Sequence, residues 1–178
     1  MAIGDLRNGR IESSESAAQP CTAANRWPER YTVSEEIIES ILKDLPGALY
    51  YPKFHLMTWH PIGIFDGALA DDVREFIERE EYIQDAPFDR YTDLSGITKV
   101  RISLQRLSDA ACRRRRVSQP VNSAIFADRK HSYVIAQIYE SLMEQAVAIT
   151  VRAFRERELA AQWLGVPVAI LRPPAKRA

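Results

Sequence analysis

Three histidines, two cysteines and a scatter of carboxylates are the side chains here that could do chemistry. His55, His60 and His131 form no i, i+4 pair and no HExxH, so a metal site would need distant carboxylates to converge on one of them. His55 and His60 sit in or beside an extended segment, where a surface or hydrogen-bonded role is the simpler reading, and His131 falls in the first turn of a helix. Cys21 and Cys112 lack the CxxC or Cys/His spacing that holds zinc. Asp66, Asp93 and Asp128 lie near expected strand ends, where paired carboxylates could do acid–base work, but Asp66 and Asp128 directly precede helices and read more simply as caps. There is no GxSxG elbow, GxxxxGK[ST] loop or GxGxxG fingerprint, and the chain has only 7 glycines with which to cradle phosphates. The expectation is a protein without a catalytic group, metal or cofactor.

The sharpest charge run is Arg113, Arg114, Arg115 and Arg116, near a helix C-terminus where cations complement the helix dipole. It is read as a solvated helix end, or as an anion patch for phosphate, acidic protein or anionic lipid. Four successive helical positions fan around the axis, so only part of the run can face one partner.

The elements that must position these residues follow from hydrophobic spacing. Residues 1–30 are polar and aperiodic and are expected to form a flexible tail. Thr32 and Glu35 read as a capping box for an added amphipathic helix at 33–45, whose apolar face includes Val33, Ile37, Ile38, Ile41, Leu42 and Leu45; Pro46-Gly47 ends it. That face needs a partner, which makes self-association one expectation. Phe54 to Trp59 and Ile62 to Phe65, separated by Pro61, resemble the two strands of a hairpin. Leu69, Val73, Phe76 and Ile77 then align on a helix at 68–81, with a loop at 82–87.

An alternation follows: a strand at 90–94, a helix at 104–116 with Leu104, Leu107 and Ala111 aligned, and a strand at 121–127. It continues with a helix at 131–145 aligned on Val134, Ile135, Ile138 and Leu142, a strand at 147–154 and a helix at 156–164. Such a run predicts an α/β fold with a mixed, mainly parallel sheet flanked by helices, right-handed crossovers, and ligand opportunities near the carboxyl ends of the strands. Residues 31–165 are expected to form one domain and 166–178 a C-terminal tail. Trp59, Phe65, Phe76, Tyr133, Tyr139, Phe154 and Trp163 fall on core faces or strand ends, and the helices at 68–81 and 131–145 could line a pocket for a small apolar molecule.

Composition narrows the partners. Lys plus Arg and Asp plus Glu each number 24, so no overall field recruits nucleic acid or an anionic membrane. The N-terminus has no apolar signal region and no stretch is long enough to span a bilayer, so the expected location is the cytoplasm.

Two segments carry a resemblance. Asp93-Leu94-Ser95-Gly96-Ile97-Thr98-Lys99-Val100-Arg101-Ile102-Ser103-Leu104 is similar to the strand, turn and helix start of the STAS superfamily, named for sulfate transporters and anti-sigma-factor antagonists. Val151-Arg152-Ala153-Phe154 with Ala160-Ala161-Gln162-Trp163-Leu164 resembles the closing strand and helix of its SpoIIAA-like bacterial branch. The resemblance spans about residues 54–165. It implies a mixed sheet flanked by helices and a non-catalytic regulatory or protein-interaction module, or, as in some relatives, a carrier or sensor of a small apolar ligand or lipid. In the anti-sigma antagonists a serine at the helix start is phosphorylated, and motif matching puts that position on Ser103. The motif's aspartate, first serine and glycine are here Arg101, Ile102 and Leu104, and Ser103 also reads simply as the N-cap of its helix.

Overall fold

The structure is a computed structural model that describes residues 44–84, 87–114, 120–146 and 148–173. The capping box, most of the expected helix at 33–45, Cys21, Arg115 and Arg116 lie outside them. Among the described residues there are seven strands, β1 (Ala48–Tyr51), β2 (Leu56–Trp59), β3 (Gly63–Phe65), β4 (Asp89–Asp93), β5 (Ile97–Val100), β6 (Val121–Phe126) and β7 (Ile149–Phe154). Four helices accompany them there: α1 (Gly67–Gln84), α2 (Leu104–Arg114), α3 (Lys130–Met143) and α4 (Arg157–Leu164).

The main sheet has the order β1-β2-β4-β6-β7, with β1 antiparallel to β2 and the remaining pairs parallel. This is the mixed, mainly parallel α/β architecture that the alternation of elements predicts. Parallel neighbours that are consecutive in the chain, joined by right-handed crossovers, put their connecting helices on one face. Alternating side chains then define two layers. Met57, Trp59, Ile125 and Val151 face α1, α2 and α3, whereas Leu56, Tyr91, Ala124 and Phe126 pack beneath α4.

The expected hairpin is corrected. β2 and β3 do not pair with each other; the hairpin partner of β2 is β1, and β3 instead pairs in parallel with β5 to form a small second sheet. Thr98 Oγ1 donates to the Gly63 carbonyl across that pair at 3.0 Å. The β1–β2 register depends on Gly47, which has φ +83° and whose carbonyl accepts from His60 N–H at 2.9 Å. A Cβ there would lie 2.6 Å from the His60 carbonyl oxygen, so the approach of the two strand ends excludes any larger residue.

Further boundaries shift for physical reasons. Asp66 caps α1 as expected, accepting from Leu69 N–H at 3.1 Å, but the helix runs through the expected loop to Gln84. Asp128 is not a cap: the residue at the start of α3 is Arg129, with no side-chain capping bond. Leu107 and Ala111 are buried on α2, yet Leu104, in the first turn, is exposed. Of the segment expected as a C-terminal tail, residues 166–173 are described, and within them Leu171, in a 3-10 turn at Val168–Leu171, is fully buried against the α4 face. Leu45, the one member of the expected N-terminal apolar face among the described residues, is buried with Ala48, Tyr50 and Phe76 in its own domain.

Candidate functional site

Two polar clusters are built into the sheet, one on each face. The first gathers at the carboxyl ends of β2 and β4, beneath the start of α4. Asp93, nearly inaccessible, accepts from Ser95 N–H at 2.9 Å and from Arg157 Nη2 at 2.8 Å. Arg157 also reaches the Tyr91 hydroxyl at 3.2 Å and lies over the Phe126 ring. His60, 7% exposed, places Nδ1 3.5 Å from Asp93 Oδ2, beyond the range of a well-formed hydrogen bond. Burial alone would raise the Asp93 pKa; the surrounding contacts from His60, Ser95 and Arg157 outweigh it and hold the carboxylate at about 2. Burial, reinforced by the Asp93 charge, pushes the Tyr91 hydroxyl up. Asp93 is therefore a committed anion, and the cluster ties α4 to the strand ends.

The second cluster lies on the opposite face, under α1, α2 and α3. A cavity of about 140 Å³ opens between the sheet and these helices, with Trp59, Phe65, Val73, Ile77, Leu107 and Ile125 among its walls. Interiors are otherwise close-packed, so a void of this size is a specific feature. It is smaller than the roughly 300–1,000 Å³ of a drug-sized site, and close to the ~150 Å³ apolar cavity that accommodates benzene. The helices expected to line a pocket do so: Ala70, Val73 and Ile77 from α1, Ile135, Ala136 and Tyr139 from α3.

Polar side chains enter that cavity from the N-terminal half of the central strands. Arg90 on β4 stands beside Ser123 on β6 and Met57 on β2 in the sheet register. Arg114, near the end of α2, donates through Nη1 and Nη2 to Glu81 Oε2 and Oε1 at 3.0 and 2.9 Å, and Arg90 Nη2 donates to the same Oε1. Both guanidinium groups are almost wholly buried and share one carboxylate. Desolvation, then the neighbouring charge of Arg114, brings the Arg90 pKa down to about 10 against the opposing pull of Glu81. Arg74, which also lines the cavity, is paired elsewhere, with Glu78 at 2.9 Å and Glu75 at 3.1 Å.

The sequence candidates divide around these clusters. Arg114 turns inward and does not belong to a solvent-facing patch, whereas Arg113 is exposed. Ser103 is exposed and caps α2, its hydroxyl accepting from Arg106 N–H at 3.2 Å. Asp66, Asp93 and Asp128 do not assemble: Asp66 caps α1, Asp128 is exposed, and Asp93 joins the strand-end cluster. His131 is exposed in the first turn of α3, and His55 occupies a left-handed turn before β2. Among the described residues no group of three or more His, Cys, Asp or Glu is placed to hold a metal, and no helix is long and apolar enough to cross a membrane.

Arg90 and Glu81 were not singled out by motif or spacing, yet the sequence carries a signal for them. A strand flanked on both sides by parallel neighbours is normally an apolar run, and β4 reads Asp-Arg-Tyr-Thr-Asp. Such polarity in a central strand marks built-in polar work on both faces. Comparison with protein-family models, curated proteins and solved structures yields no match.

Proposed function

We propose that this chain is a non-catalytic, STAS-like binding module that holds a small, largely apolar molecule in the cavity between its sheet and α1–α3. The observation that carries this reading is the cavity itself, walled largely by aromatic and aliphatic side chains between the sheet and three helices. The element order supports the STAS-like part: an antiparallel strand pair leads into a parallel βα series and a last helix on the opposite face. The non-catalytic part rests on commitment of the charged groups, since Asp93 is occupied by Arg157 and Ser95, and Glu81 by two arginines.

Native mass spectrometry of protein purified without denaturation from its own cells, followed by denaturing analysis of the same sample, tests the reading. The expected result is an added small mass that disappears on denaturation. Uniformly bare protein would overturn it and move forward a second reading, docking of a protein partner. That alternative rests on the open groove between α2 and α3, where Leu104 and Val134 are 58% and 43% exposed beside Ile138 and Leu142.

A further inference from the structure

Resting on that reading, we infer that the molecule held in the cavity is an anion, an apolar body carrying one carboxylate-like group that is received by Arg90.

Three observations converge on this class. Arg90 and Arg114 contribute two buried positive charges and share the single Glu81 carboxylate. Arg114 takes both Glu81 oxygens in a fork, which leaves Arg90 with one bond to an oxygen that is already used. Finally, the Arg90 Nε–H is buried and has no acceptor. A guanidinium is a planar fork suited to receiving two carboxylate oxygens, and a buried donor without an acceptor carries the full desolvation cost of that group. An anionic ligand would satisfy the donor and add to the opposing charge that Glu81 and, less strongly, Asp89 supply to Arg90.

The surroundings fit the remainder of such a ligand. Ser123, beside Arg90 in the sheet register, and Tyr139 also line the cavity, and both are hydroxyl-bearing residues. Away from Arg90 along the strands, Trp59, Phe65 and Leu94 provide apolar wall for the ligand body.

Benzoate and benzamide match the cavity in size and differ in charge, and they are the probes. Affinity is measured on the full chain by two-dimensional NMR, following the side-chain Nε–Hε resonance of Arg90 assigned by its loss in Arg90→Met. Benzoate is expected to bind at least about tenfold more tightly than benzamide, the factor for one hydrogen bond to a charged group, and to shift that resonance. Arg90→Met should abolish the preference, lowering benzoate affinity more than that of benzamide, whose neutral carbonyl accepts a weaker bond from the same guanidinium. This variant keeps the balanced Arg114–Glu81 pair and is expected to fold; if it does not, the wild-type preference and the resonance shift still decide. Equal affinity for the two probes, or benzoate binding that leaves Arg90 Nε unmoved, overturns the anion inference while the apolar cavity stands. Binding of neither overturns both.

Discussion

Asp93 shows how one residue can be legible in sequence and misread in role. It was visible as a carboxylate at an expected strand end, but its partner Arg157 lies 64 positions away, and no local pattern links them. The pairing has a pH signature. Because the folded Asp93 titrates at about 2, below the ~3.9 of an unfolded aspartate, its contribution to stability is fully present above the unfolded value and is lost as pH falls through the folded one. Chemical denaturation at pH 7, 4 and 3 should show wild type losing about 1 kcal/mol relative to Asp93→Asn by pH 3. Parallel losses in the two proteins would mean that the ion pair does not govern acid sensitivity. Ser103 stands at the other extreme. Its cap is a contact three residues long, and that is why its structural role could be read directly from the sequence.

Helices were more legible than strand partners. Periodicity located all four described helices, since a helix is held by contacts within one or two turns. Strand pairing depends on chain segments far apart, and here the short runs β2 and β3 looked like each other's partner when each had another. The Leu94–Gly96 turn explains the arrangement, because it brings the exit of β4 across the chain leaving β2 and so delivers β5 to β3. Gly96 is the point of closest approach: a Cβ there would stand 2.5 Å from the Pro61 carbonyl oxygen, a backbone atom with no rotamer to yield. Gly96→Ala is therefore expected to cost more than about 1 kcal/mol in urea denaturation. Gly67→Ala is the control. The nearest atoms its Cβ would meet belong to the Arg106 side chain, which is exposed and can swing aside, so its stability should stay near wild type. Equal losses in both variants would remove the crossing as the constraint.

At the scale of the whole molecule, the layers were legible and the void between them was not. Which helices face the sheet follows from apolar spacing, but whether they fill the space depends on volumes summed over three helices and four strands, a quantity that no segment carries. The arginine pair beneath them escaped for a related reason. Arg114 belongs to a run that looks like a surface feature, and only the close approach of α1 and β4 turns it inward onto Glu81. A cavity of this kind links occupancy to stability. A ligand that binds only the folded chain adds RT ln(1 + [L]/Kd), about 2.7 kcal/mol when its free concentration is a hundredfold above Kd. For a chain of this length each kcal/mol moves the melting temperature by roughly 2–4 °C, so saturation should raise it by about 5–10 °C. Protein stripped by unfolding and refolding should therefore melt lower than protein purified natively, and a solvent extract of the native sample should restore the difference. Identical melting curves before and after stripping, with native protein shown to be free of small molecules, would mean that the cavity is dry in the cell and that the three helices tolerate the void without a tenant.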